Sequence, residues 1–227
     1  MVLAAGRGER MRPLTDSTPK PLLRAGGKPV LIWQLEALAR AGFRRVVINH
    51  AHLGHMIEAA VGDGSRWGLE AAYSPEPEAL ESAGGIRQAL SLIGADSFAV
   101  VNGDVYTDYD YRLLSARLDV MHAHGGSLAH LVLVDNPGHH PGGDFFFEDG
   151  RLLPAGTRKL TFSGIGAYRR ELFEHLAAGA KHRLAPLVAG AIAAGRATGE
   201  YHQGAWIDVG TPQRLAQLDT MLRGARR

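Results

Sequence analysis

Three stretches of this chain combine residue types that can handle a polyphosphate. The first runs from Leu3 through Ala4, Ala5, Gly6, Arg7 and Gly8 to Glu9, Arg10, Met11 and Arg12, and continues to Thr18-Pro19-Lys20-Pro21. A glycine-rich loop directly after a strand lets backbone N–H groups approach phosphate oxygens with no side chain in the way. Arg10, Arg12 and Lys20 add fixed positive charge beside it. Prolines on either side of Lys20 stiffen the backbone that carries its ammonium. Two other phosphate-loop patterns fail. Met11 stands where G-x-G-x-x-G needs its third glycine. Gly27-Lys28 is followed by Pro29 and lacks the upstream glycine of G-x-x-x-x-G-K-[ST].

The second stretch, Val100-Val101-Asn102-Gly103-Asp104, ends an apolar run. A carboxylate at the carboxyl end of a parallel strand sits where open α/β sheets bind ligands. Such an oxygen can hold Mg²⁺, which favours a few carboxylates plus phosphate and water, although Asn-Gly-Asp is equally the composition of a simple turn. In the third, Trp206-Ile207-Asp208-Val209-Gly210-Thr211-Pro212, Thr211 suits a helix N-cap with Pro212 at the first position. That cap explains Gly210 to Pro212 and leaves Asp208 over. No Gly-x-Ser-x-Gly elbow supports a hydrolase. His50, His52 and His55 lie close together, but no carboxylate or cysteine partner completes a zinc pattern. With His122 and His124 they read as surface or loop residues.

Gly6-x-Gly8-x-Arg10-Met11 with Pro19-Lys20-Pro21 resembles the signature of the sugar-1-phosphate nucleotidyltransferases, with Glu9 where the family commonly has Ser or Thr. The resemblance implies that Leu3, Ala4, Ala5, Gly6 and Gly8 wrap a nucleoside triphosphate. Arg10 and Lys20 would stabilise charge on the reacting phosphates. Trp206 to Thr211 is similar to the family's W-x-D-x-G-T motif, which implies that Asp104 and Asp208 are the Mg²⁺ ligands. Tyr73 to Glu76 and Glu81 to Gly85 fall where the family contacts base and ribose. Glu81, Ser82 and Gly84 are therefore expected at the nucleotide, with Glu81 and Ser82 replacing Gly and Thr of the commoner G-T-x-G.

In the second half, Asp135 to His140, Gly143-Asp144-Phe145, Phe162 to Ile165 and Leu184 to Leu187 resemble the muramic-acid-type subgroup of uridylyltransferases. Asn102, Gly143, Asp144, Ser163, Gly164 and Arg183 are then expected at the sugar. Arg183 replaces the lysine that the subgroup carries before Leu-Ala-Pro, and the Glu-Lys-Pro segment of many relatives is missing. The resemblance runs from Leu3 to the C-terminal helix. It implies transfer of a nucleotidyl group from UTP to N-acetylmuramate 1-phosphate, in cell-wall sugar recycling. Two readings stay open beside it: a guanylyltransferase for mannose or heptose 1-phosphate, and a non-catalytic nucleotide-sugar-binding regulator.

The elements that must position these residues alternate short apolar runs with helical spacing. That pattern predicts an α/β, Rossmann-like sheet, mixed but mainly parallel, flanked by helices. The spacing predicts helices over 30–41, 54–61, 82–93, 110–124, 186–194 and 211–223. Strands are expected at the N-terminus and over 46–49, 69–73, 98–102, 128–134, 160–168 and 197–202, with a hairpin at Glu148-Asp149-Gly150. At 227 residues one domain is expected, with a nucleotide half over about 1–110 and a sugar half over 111–227. The 29 glycines, roughly 13% against a usual ~7%, follow no repeat and fit tight turns and close ligand approach. A net charge of +2, spread along the chain, argues against a nucleic-acid surface. The absence of cysteine fits a cytoplasmic location. No signal-peptide core or membrane-length apolar run occurs, so no membrane partner is expected.

Overall fold

A computed structural model describes residues 1–124 and 126–224. The chain opens with β1 (Val2–Leu3), the glycine loop, α1 (Leu14–Ser17) and a small ribbon of β2 (Arg24–Ala25) and β3 (Lys28–Pro29). It continues through α2 (Val30–Arg40), β4 (Arg45–His50), α3 (Gly54–Val61), β5 (Glu70–Pro75), α4 (Glu81–Ile93), β6 (Ser97–Asn102) and β7 (Val105–Thr107). The second half holds α5 (Tyr111–His124), β8 (Ala129–Val134), β9 (Phe145–Glu148), β10 (Arg151–Leu153) and β11 (Lys159–Arg169). It closes with α6 (Leu184–Ala193), β12 (Ala197–Tyr201), β13 (Trp206–Asp208) and α7 (Pro212–Gly224).

One nine-stranded sheet has the order β5-β4-β1-β6-β11-β8-β12-β10-β9. Its first four strands are parallel and in step, with Leu3 opposite both Asn49 and Asn102. Three strand ends therefore meet at one level, where an open α/β sheet binds its ligand. β11 runs antiparallel to β6 and β8, and the β9–β10 hairpin folds back so that β9 also pairs with β11. Asp149 and Gly150 both take positive φ at its turn, as a two-residue hairpin loop with primed geometry requires.

The central strands are apolar because both faces are covered. β6 shows this directly: Ala99 and Val101 join one buried cluster, while Phe98 and Val100 join another on the opposite pleat. α2 adds Leu31, Leu35 and Leu38 to the first cluster, and α4 adds Ile86 and Leu90 to the second. A third cluster joins the two ends of the chain. Met11, Leu23, Ala25 and Val30 pack against Val209, Leu218 and Leu222, and the Gly26 N–H donates to Asp219 Oδ1 at 2.8 Å.

The long elements fall where the hydrophobic pattern puts them. One histidine differs from expectation. His50 is an interior residue, 5% exposed, because α3 folds back over the end of β4 and brings Glu58 Oε1 to 2.7 Å from its Nε2. His55, His122 and His124 are exposed.

Leu218 is fully buried in the third cluster. Leu218→Ala should cost about 2–5 kcal/mol of unfolding free energy in urea titration, the usual range for emptying a buried leucine site. A loss below about 1 kcal/mol would show that the ends of the chain are not packed this way.

Candidate active site

The glycine loop is anchored at both ends. Where β1 stops, the Ala4 N–H donates to Asn49 Oδ1 at 2.9 Å. Gly6 has open space where a side chain would project. Gly8 takes φ 71°, and a Cβ there would lie 3.0 Å from Thr15 Cγ2 and 3.1 Å from Lys20 Cβ. Glycine thus supplies the left-handed turn and also the close approach that lays the loop on Lys20. The buried Thr15 closes the turn, its Oγ1 donating to the Gly8 carbonyl at 2.9 Å. Pro19 is extended, and Lys20 begins a single 3₁₀ turn locked by the Leu22 N–H on the Pro19 carbonyl at 2.8 Å. The Lys20 side chain, 14% exposed, forms an ion pair with Asp104 Oδ2.

The carboxylates of Asp104 and Asp208 come from strand ends more than a hundred residues apart. The antiparallel pair β7–β13 joins them. Asp208 sits opposite Val105, and the Val209 N–H donates to the Asp104 carbonyl at 2.8 Å. β7 is itself held from below, where Gln34 Nε2 donates to the Val105 carbonyl and accepts at Oε1 from the Tyr111 hydroxyl. Asp104 and Asp208 are therefore neighbours across a ribbon whose position the core fixes.

Positive charge surrounds them. Asp208 Oδ1 is 3.0 Å from Arg214 Nη1 and 3.3 Å from His139 Nε2. Arg214 lies in the first turn of α7, where its N–H donates to the Thr211 cap at 3.3 Å. A Cβ at Gly210 would come within 1.9 Å of Arg214 Nη2 and 3.2 Å of Arg10 Nη2, so both guanidiniums crowd this glycine. Arg10 is exposed and makes no hydrogen bond or ion pair among the described residues. Three permanent cations and a histidine thus face two carboxylates, and the imbalance suits an anionic ligand. Asp104 Oδ1 and Asp208 Oδ2 accept no hydrogen bond among the described residues and remain available to a cation. No group of three or more histidines, cysteines or carboxylates that could hold a metal occurs among the described residues. Two carboxylate oxygens completed by phosphate and water are the set a small hard divalent cation takes.

Two cavities open beside this centre, of about 320 and 310 Å³. Ala5, Gly6, Asn49, Glu76 and Asp104 line the first, while Asp144, Gly164 and Arg183 line the second. Leu3, Glu81, Ser82 and Asn102 line both, so the two share a wall. Ala4, Gly84, Gly143 and Ser163 line neither. Ala4 is buried behind the loop. Gly84 lies inside α4, where a Cβ would meet the Ala180 carbonyl at 2.4 Å. A Cβ at Gly143 would meet Asn136 Oδ1 at 2.7 Å. The buried Ser163 donates to the Val132 carbonyl at 2.7 Å and caps a β-bulge between Phe162 and Ile165. That bulge turns Gly164 toward Asn102, a common device beside active sites.

Arg214, His139 and Asn49 were not singled out by the sequence reading. Arg214 carries a readable signal, since the third residue after an N-cap threonine shares the first helical turn with the motif before it. Asn49 and Glu76 form a buried pair: Asn49 Nδ2 donates to Glu76 Oε1 at 2.6 Å, and the Leu80 N–H donates to Oε2 at 2.9 Å. Only the fold brings these together.

A glycine-rich loop at parallel strand ends, a cation-flanked carboxylate pair and two joined cavities fit a transferase acting between two phosphorylated substrates. The model of the nucleotidyl transferase family matches residues 1–139, and the chain belongs to that family, as a sugar-1-phosphate nucleotidyltransferase. It is 51% identical over 225 residues to the N-acetylmuramate alpha-1-phosphate uridylyltransferase of Neisseria meningitidis serogroup B, covering 97% of this chain and 96% of that protein. A UTP–glucose-1-phosphate uridylyltransferase from Synechocystis is 40% identical over 121 residues, 48% of this chain and 31% of that longer protein. Among solved structures, one from Bacillus anthracis assigned as a glucose-1-phosphate thymidylyltransferase superposes with TM-score 0.86 at 20% identity, over 98% of this chain and 94% of that one. HddC from Yersinia pseudotuberculosis, complexed with GMP-PN, gives 0.77 at 21%, over 97% of each. These two establish the likeness of fold.

Glu81 opens α4 with φ 62°, in the left-handed region, on the wall shared by the cavities. A side chain costs about 1–2 kcal/mol in that conformation. Glu81→Gly should therefore raise the unfolding free energy by about 1 kcal/mol in urea titration. A fall instead would mean that the backbone at this wall is not strained.

Proposed function

We propose that the protein transfers the uridylyl group of UTP to N-acetylmuramate 1-phosphate, giving the UDP sugar and pyrophosphate. The observation that carries this is the pair Asp104 and Asp208, set side by side by the β7–β13 ribbon next to Lys20. The near full-length 51% identity to a uridylyltransferase of that specificity supports the choice of substrates.

In this reading the first cavity takes base and ribose, and the second takes the sugar. The nucleotide half is then about 1–110 and the sugar half 111–227, within one domain. An oxygen of the sugar phosphate attacks the α-phosphorus; the bond from that phosphorus to the bridging oxygen breaks, and pyrophosphate leaves with the electron pair. The attacking phosphate is already anionic, so no side chain has to remove a proton. The protein's task is alignment and charge compensation. The amides of the Gly6–Gly8 loop and Arg10 hold the triphosphate. Lys20, kept rigid by its flanking prolines, meets the charge that gathers as the α-phosphate is attacked. Asp104 and Asp208 would hold a divalent cation, Mg²⁺ in this reading, which when bound draws charge from the phosphate oxygens. The reaction belongs in the cytoplasm, where it returns recovered cell-wall sugar to an activated form.

Release of pyrophosphate from UTP, dTTP, GTP and CTP, each against several sugar 1-phosphates, tests the assignment. UTP with N-acetylmuramate 1-phosphate should give the highest kcat/KM; preference for GTP with mannose or heptose 1-phosphate would replace it with guanylyl transfer. Lys20→Ala should lower turnover by roughly two to three orders of magnitude, typical of losing a transition-state electrostatic partner. Asp104→Ala should abolish turnover that depends on Mg²⁺. Near-normal rates in either variant would remove that residue from the reaction.

A further inference from the structure

Arg183 lies on the second cavity but not the first, whereas Asp104 lies on the first but not the second. The two residues therefore line different cavities, divided by the shared wall. Arg183 is exposed at the N-cap of α6 and makes no ion pair or hydrogen bond among the described residues. The walls around it are apolar, with Phe145, Phe162, Tyr168 and Val188 facing the same space. One other ionic group lines this cavity away from the shared wall. Asp144 has both oxygens engaged, by His140 Nε2 at 2.9 Å and by the Phe162 N–H at 2.8 Å. Arg183 thus forms an ion pair with neither of the carboxylates that line this cavity, Asp144 and Glu81, and its guanidinium is left to an incoming anion.

The phosphates of the reacting substrates belong beside Lys20, Arg10 and Asp104. An anion that reaches Arg183 must come from the body of the sugar. N-acetylmuramate carries such a group, the carboxylate of its ether-linked lactyl arm, and that arm's methyl suits the apolar wall. Resting on the function proposed above, we infer that Arg183 is a specificity-determining residue that binds the lactyl carboxylate, and that it does not bind the sugar phosphate. The planar fork of a guanidinium can engage both carboxylate oxygens. This selects acidic sugars over neutral ones of the same ring.

The test compares N-acetylmuramate 1-phosphate with its lactyl amide, which keeps the arm and removes only the charge. kcat/KM is measured for both with UTP, in the wild type, Arg183→Met and Arg183→Lys. The wild type should prefer the acid by roughly 10- to 150-fold, the range for a hydrogen bond to a charged group. Arg183→Met should bring that preference close to one, mostly through KM, and Arg183→Lys should restore part of it. The same preference in Arg183→Met as in the wild type overturns the inference, as does equal loss for acid and amide, which would place Arg183 at the phosphate or in the scaffold. If the wild type uses neither compound but turns over another sugar 1-phosphate, the substrate assignment itself fails and this inference with it. The wild-type arm therefore reports on the function and the variant arms on Arg183.

Discussion

Everything in the site depends on a two-stranded ribbon only three residues long. Pairing of Asp208 with Val105, and of the Val209 N–H with the Asp104 carbonyl, converts two carboxylates distant in sequence into one site. So short a pairing cannot hold itself together in water. It is pinned from two sides. Gln34 bonds to β7 from the buried side and is itself held by the Tyr111 hydroxyl, and the cluster of Met11, Leu23, Val30, Val209 and Leu218 clamps β13 and α7 to the segment that carries the loop. The same apolar contact that docks the last helix therefore also sets the distance between phosphate loop and carboxylates.

On that base the chain sets three permanent cations, Lys20, Arg10 and Arg214, around the two carboxylates. Lys20 is paired with Asp104 and Arg214 with Asp208, while Arg10 and Arg183 have no protein partner among the described residues. Charges held in place, as Lys20 and Arg214 are, need little reorganisation when an anion arrives, which is where electrostatic catalysis draws its strength. The shared wall of Leu3, Glu81, Ser82 and Asn102 sets the two cavities side by side. A left-handed glutamate on this wall, and a capped β-bulge that brings Gly164 to the second cavity, are the departures from regular backbone beside the site.

Much of this was legible in the sequence, for identifiable reasons. α2, α3 and β8 announce themselves because burial of one helical face or of both strand faces imposes a period. The glycine loop, Lys20, Asp104 and Asp208 stand out because phosphate and metal chemistry restricts the residue types. β2, β3, β7 and β13 are too short to show alternation, and their pairing is fixed by packing between distant segments. His139 is hidden for the same reason, and Arg214, whose place in the first turn of α7 is readable, meets Asp208 only through that packing. Ser163 and Gly143 read as ligand contacts from their motifs, yet they sit at a bulge and a tight turn that such a motif also needs. His50 read as a surface residue because its partner Glu58 becomes a partner only when α3 folds back over the strand.

In the proposed reaction Asp104 and Asp208 act on one cation. Electron paramagnetic resonance of Mn²⁺ titrated into the protein with a non-hydrolysable UTP analogue tests it most directly, using Asp104→Asn, Asp208→Asn and the double variant. One tight ion is expected in the wild type, lost in each single variant, with the double variant no weaker than either, as for groups that share a ligand. Undiminished Mn²⁺ affinity in either single variant would contradict it.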